Sequence, residues 1–218
     1  MKRREFSKAG LAASAALGLV QAPAVLAQGR PKAGTDYLVL EKPAPTEAPA
    51  GKIEVVEFFW YACPHCNLFE PQLEAWVKRL PPDVAFRRAP VAFRSDFVPL
   101  QKLYYALEAL GQLDTLHAKA FHAIHVERQR LNTDDAVIAW AVKQGLDQAK
   151  FVETYNSFNV STKVRKATQL QDAYKLAGVP ALGVQGRYYI DGETAKSMDR
   201  ALQITDVLLA DLRGKPRT

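Results

Sequence analysis

The 218-residue chain predicts an α/β fold in which one sheet domain is interrupted by a helical insertion. Three observations carry this. The apolar, aromatic run Ile53 to Tyr61 reads as a buried strand, and a helix-like stretch follows it. From about Pro99 to Lys175 the pattern is helical throughout. Strand signals return only at Ala181–Val184 and Arg187–Ile190, ahead of a last amphipathic helix. The expected boundaries are residues 28–95 and 170–218 for the sheet domain and 96–169 for the insertion.

At the start of the chain, Lys2, Arg3, Arg4 and Lys8 precede an uncharged Ala/Leu/Gly-rich stretch, Ala9 to Ala27, that ends in Val25-Leu26-Ala27. This predicts an export signal over residues 1–27, cleaved after Ala27; Gln21, Pro23 and the many alanines make a poor bilayer span. Arg3-Arg4-Glu5-Phe6-Ser7-Lys8 is also similar to a twin-arginine motif, which leaves the export route open. Tyr37–Leu40 is an outer strand, followed by an irregular connector through Pro43, Pro45 and Pro49. Ile53–Phe59 is the central strand. Asn67–Leu80 carries Leu68, Leu73, Trp76, Val77 and Leu80 at roughly helical spacing, and Pro64 suits the first turn, where its missing N–H costs nothing. Val84–Val91 is a third strand after the Pro81-Pro82-Asp83 turn. Helices are expected over Leu100–Leu110, Asp114–Glu127, Thr133–Gln144, Asp147–Tyr155 and Ser161–Leu176, with Asn132 or Thr133 as a cap and Gly145 as a stop. Gln185-Gly186 is a hairpin turn, and Met198–Leu212 the closing helix.

The leader carries +3 of the formal +6 charge, leaving +3 for the rest. That argues against a nucleic-acid surface, which needs a concentrated basic face. Both cysteines of the chain lie in Cys63-Pro64-His65-Cys66. A structural staple joins distant segments. Closing so short a loop stabilises least, nominally ~2 kcal/mol against ~4–5 for a loop of about 100 residues. The pair is therefore placed for reactivity. Four zinc ligands are not available from two cysteines, and His117, His122 and His125 read as solvated positions on a helix with the last two on one face, so no metal or other cofactor is expected. Covalent haem is excluded because Asn67 stands where Cys-x-x-Cys-His requires histidine.

Disulfide exchange is carried out by the thiolate. Cys63 precedes a helix start, where unpaired N–H groups and the macrodipole favour an anion, and His65 adds a donor or positive charge. Cys66, further into the helix, should be the poorer nucleophile. A thiolate exists only in the reduced protein, so each unit by which its pKa falls below the working pH favours reduction by ~1.4 kcal/mol, or about 30 mV for a two-electron couple. A strongly depressed pKa makes the Cys63–Cys66 disulfide an oxidant.

The segment Glu57-Phe58-Phe59-Trp60-Tyr61-Ala62-Cys63-Pro64-His65-Cys66 resembles the active site of the DsbA family of periplasmic thiol:disulfide interchange proteins, and Gly178-Val179-Pro180-Ala181 resembles its cis-proline loop. The likeness runs from about Tyr37 to the last helix; it is specific at the cysteines and weaker in the helical block. It implies a thioredoxin fold, a central mixed sheet flanked by helices, with an all-helical insertion. It further implies a cis Val179–Pro180 bond facing Cys63, which frees the Val179 backbone to pair with an extended substrate. The implied partners are reduced, newly exported polypeptides and an inner-membrane DsbB-like reoxidant, acting on a monomer in the periplasm. Glu57 matches the family's buried acid. Its two readings are a proton relay for Cys66 and a carboxylate paired with a base such as Arg88. Phe93 and Leu182 are candidate walls of a peptide groove. Two other functions fit the same residues less directly. A reductase or isomerase uses the same cysteines, and a holdase binds unfolded chains through its helices and survives loss of Cys63.

Overall fold

The computed structural model describes residues 29–214. The expected export signal, residues 1–27, therefore lies outside the described residues, and the sheet with its helices belongs to the unit that begins at Pro31. Five strands form one sheet in the order β1-β5-β4-β2-β3. They are β1 (Leu38–Val39), β2 (Ile53–Phe59), β3 (Val84–Pro90), β4 (Ala181–Val184) and β5 (Tyr188–Asp191). Only β2 and β3 run parallel; the other neighbours are antiparallel. This mixed sheet has the helix α1 (Pro64–Val77) between its parallel strands. The helices α2 (Val98–Ala109), α3 (Leu113–His125), α4 (Asp134–Lys143), α5 (Gln148–Tyr155) and α6 (Phe158–Ala173) follow β3, and α7 (Met198–Arg213) closes the fold.

All seven residues of β2 are buried, because both faces of the sheet are covered. Val55 faces one side, with Leu182 and Ile190, and packs on Phe69, Leu73 and Trp76 of α1 and Leu202 and Leu208 of α7. Val56 and Phe58 face the other, with Ala181 and Tyr189, and meet Leu170 of α6 and Tyr174. Phe59, Tyr61 and both cysteines belong to a third cluster, shared with the helical block. The strand end that leads to the cysteines is thus clamped between sheet and helices.

Local chemistry explains the element ends. Thr133, Asp147, Ser157 and Ser197 cap α4, α5, α6 and α7, each side chain accepting a backbone N–H three residues on. The Ser157 cap starts α6 at Phe158 rather than at the expected Ser161. Gln185 and Gly186 both have positive φ, +50° and +62°, the two-residue hairpin geometry whose twist matches the strands it joins. The expected return to the sheet domain at residue 170 falls inside α6, so the chain passes from block to sheet within one continuous helix. Pro71 sits inside α1 and removes one N–H from its ladder without ending it.

At Gly183 on β4, an added Cβ would lie 2.6 Å from the ring of Tyr174. That ring is buried and packs on Phe58 with centroids 4.9 Å apart. Gly183→Ala is expected to cost about 1–3 kcal/mol through overpacking, read as a lower denaturation midpoint at unchanged slope.

Candidate active site

Where β2 ends, the chain makes one turn and enters α1. The Cys63 N–H donates to Trp60 O at 2.9 Å, and the Cys63 carbonyl accepts the Asn67 N–H at 3.1 Å as the first bond of the helix. Cys63 is thereby the N-cap of α1 and Pro64 opens its first turn. In the capping position the Cys63 sulfur accepts the Cys66 N–H at 3.4 Å. Both cysteines stand as free thiols, Cys63 at 8 % exposure and Cys66 fully enclosed. The two sulfurs consequently differ sharply. The side-chain hydrogen bond from Cys66 is the largest influence on Cys63; with the backbone N–H groups of Cys66 and His65 and the charge of His65 it outweighs burial and brings the thiol down to about 6. Burial holds Cys66 far above the usual thiol range, and the neighbouring Cys63 pushes it the same way.

The cis Val179–Pro180 bond lies against this sulfur, and Cys63 Sγ donates to Val179 O at 3.3 Å. A groove of about 580 Å³ opens beside it, lined by His65, Gly178, Val179, Pro180, Gly192 and Met198 among others. His65 is exposed at its wall, and Pro64 before it is exposed as well. Leu182 does not belong to the groove: it points from β4 into the α1–α7 core and has no exposed surface. Strand alternation puts Ala181 and Leu182 on opposite faces, and both faces are covered. Phe93 is 40 % exposed but is not a wall of this groove.

Beneath the cysteines lies a buried charge cluster. The parallel register sets Glu57 beside Arg88. Arg88 Nε donates to Glu57 Oε2 at 2.9 Å, and Nη2 donates to Glu70 and Glu74 of α1 at 2.6 Å each. The pairing of Glu57 with Arg88 raised from the sequence is therefore present. Glu57 Oε1 nevertheless has no hydrogen-bond partner among the described residues. Burial pushes the Glu57 carboxyl up to about 8, with Arg88 pulling against it and Glu70 adding to it. Burial also raises Glu70, but His117 and Arg88 outweigh it and hold that group below its ordinary value.

The histidines of α3 depart from expectation. His117 is buried, its Nδ1 2.8 Å from the Tyr61 hydroxyl. Its Nε2 is 3.2 Å from Glu70 Oε1, within ion-pair reach but not aligned for a hydrogen bond. His125 Nε2 lies 2.8 Å from the Tyr61 carbonyl oxygen, while His122 is exposed beside Glu127. The inward face thus carries His117, Phe121 and His125, spaced by four, not His122 with His125. The readable signal was that spacing together with the buried Leu116 and Ala120.

Arg88→Leu is expected to strand Glu57 and Glu70 without their cation, costing about 3–5 kcal/mol near pH 8. The raised Glu57 group contributes stability fully below its unfolded value and loses it as pH rises through about 8. Without Arg88 that loss deepens, so urea unfolding should show the penalty shrinking toward pH 5.

Comparison with known proteins agrees with this geometry. The model of a DSBA-like thioredoxin domain matches residues 92–203. The thiol:disulfide interchange protein DsbA of Burkholderia cepacia is 42% identical over 199 residues, 91% of this chain and 94% of its own length. The Bordetella pertussis protein of that name is 45% identical over 206 residues, 93% of this chain and 96% of its own. Among solved structures, Pseudomonas aeruginosa DsbA superposes with a TM-score of 0.79 at 38% identity, covering 84% of this chain and 94% of that one. With a cysteine pair at a strand-to-helix junction, a thioredoxin fold carrying a helical insertion and these relatives, the chain belongs to the DsbA family of thiol:disulfide oxidoreductases.

Proposed function

We propose that this protein donates its Cys63–Cys66 disulfide to reduced polypeptides newly exported to the periplasm. The observation that carries the reading is the N-cap position of the Cys63 sulfur, which stabilises the anion released on reduction. A substrate thiolate attacks the Cys63 sulfur, forming the mixed disulfide; the Cys63–Cys66 bond breaks and Cys66 leaves with the electron pair. A second substrate thiolate then attacks the substrate sulfur of the mixed disulfide, and Cys63 leaves as a thiolate. Two substrate thiols are oxidised and one protein disulfide is reduced. A low pKa makes Cys63 a good leaving group, and Cys66 can reverse the first step by attacking the mixed disulfide.

The departing Cys66 needs a proton, because its enclosed position disfavours an anion. Glu57, whose carboxyl burial raises to about 8 and whose anion would be felt at Cys66, is the proposed source; Arg88 positions it. Val179 and Pro180 would hold the substrate backbone, with Pro64 and His65 shaping the approach to the sulfur. A membrane-bound DsbB-like protein would reoxidise the pair, the active unit would be a monomer, and residues 1–27 would be removed on export. No described helix is long and apolar enough to cross a membrane.

Thiolate absorbance should titrate Cys63 near pH 6, and the equilibrium with glutathione should lie toward the reduced protein. An ordinary thiol there, or a bridge that glutathione scarcely reduces, would instead favour a reductase. Glu57→Gln is expected to flatten the pH dependence of exchange between about pH 5 and 8 while leaving the Cys63 titration in place. If potential and pH profile both stay as in the wild type, Glu57 is structural only.

A further inference from the structure

A second cavity, of about 600 Å³, opens at Ala62, one residue before the nucleophile, and shares no lining residue with the Val179 groove. Its walls begin with Trp60 and Ala62, three residues and one residue before Cys63, and Cys63 itself is tied to Trp60 by the N–H···O bond of 2.9 Å. The Trp60 ring is fixed by stacking on Phe97, centroids 3.6 Å apart and planes within 8°. Leu100 and Ile124 add apolar surface, and the turn between α3 and α4 contributes Arg128 and Arg130.

These two arginines share with Arg79, Arg165 and Arg187 an exposed position without an ion pair among the described residues, but of these five only Arg128 and Arg130 line this cavity. Arg87, Arg88, Arg94, Arg200 and Arg213 each stand in an ion pair with a carboxylate. For Arg128 and Arg130 no ion pair occurs among the described residues, and both are exposed. The acid on this cavity, Asp96, is already engaged by Nε and Nη2 of Arg94, which donate to its two carboxylate oxygens at 3.0 and 2.7 Å. Arg128 is also held at φ +60°, a left-handed conformation that a long side chain seldom adopts. An apolar floor with two uncompensated guanidinium groups, near a sulfur that substrate thiolates attack, is complementary to a peptide segment with an apolar residue and a carboxylate.

We infer that this cavity is a specificity site, in which Arg128 and Arg130 favour reduced polypeptides with acidic residues close to the reacting cysteine. The inference rests on the reading of Cys63 as the sulfur attacked by substrate. Trp60 receives the apolar neighbour of that cysteine, and the arginines receive the carboxylate. His65 and the net positive charge of the chain attract acidic peptides in a general way, so the test must isolate the two arginines.

Two synthetic peptides, each with one cysteine pair and differing only in Glu or Lys beside the cysteines, are to be oxidised by the disulfide form of the full protein. The second-order rates are read at low salt for the wild type and for the Arg128→Ala/Arg130→Ala double variant. Flanking charge alters the peptides' own thiol reactivity, and comparing the Glu-to-Lys rate ratio between the two proteins cancels that effect. The ratio is expected to fall roughly fivefold in the double variant, the size of one good surface ion pair. Arg128→Lys/Arg130→Lys should retain most of it, and the difference should vanish near 1 M salt. A ratio that stays within twofold of the wild type overturns the specificity site while leaving the oxidase reading intact. A wild-type protein that fails to oxidise even dithiothreitol overturns both.

Discussion

The contact that the rest of the structure serves is the 3.4 Å hydrogen bond from the Cys66 N–H to the Cys63 sulfur. A sulfur anion removed from water persists only where fixed donors replace the lost solvent. Here they come from the first turn of α1, whose N–H groups have no partner inside the helix. For those groups to aim at the sulfur, β2 must stop and α1 must start within four residues, Trp60 to Cys63. The Trp60 carbonyl, the Pro64 at the first helical position and the packing of Phe59 and Tyr61 all fix that corner. The same arrangement encloses the second sulfur, so one short segment yields two thiols of opposite character.

A central strand with carboxylates invites an electrostatic cost that the neighbouring strand answers. Glu54 and Glu57 of β2 are both buried, and Arg87 and Arg88 of β3 bind them in turn, one on each face of the sheet. A buried carboxyl–guanidinium contact of this kind adds little net stability, because desolvation offsets attraction. What it does fix is register: sliding β3 by one residue would put each guanidinium on the wrong face. On the α1 face the pairing carries a further consequence, since Arg88 also collects Glu70 and Glu74 and thereby links the active-site helix to the sheet.

Much of this is readable in the chain. The cysteine spacing and the apolar run before it locate the nucleophile and its helix, while the loop that faces it, Val179–Pro180, is legible only through the family resemblance. Cap and turn residues place most element ends within a few positions, as Thr133 and Gln185-Gly186 illustrate. The failures share one cause, that a linear pattern does not say what covers a given face. Leu182 reads as a groove wall because peptide grooves are typically apolar, yet both faces of β4 are buried and its side chain takes the far one. His117 reads as solvated because histidine usually is. The aromatic side chains of Phe59, Tyr61, Tyr104 and Phe121 converge on it only in three dimensions. Glu57 is legible as a problem, an acid in an apolar strand, and Arg88 as one answer; the bonds of Arg88 to Glu70 and Glu74 are not.

The continuity of α6 has mechanical meaning. A rod that begins in the helical block and ends under the sheet leaves no slack joint at that crossing. On the opposite flank, His117 and His125 grip the side chain and the carbonyl of Tyr61, two positions upstream of the nucleophile. Held at both places, the block is poorly suited to swing as an independent lid. Tilting it would drag the backbone of the reactive loop along, so an event felt on the outer helices would reach the sulfur as a change in its own placement.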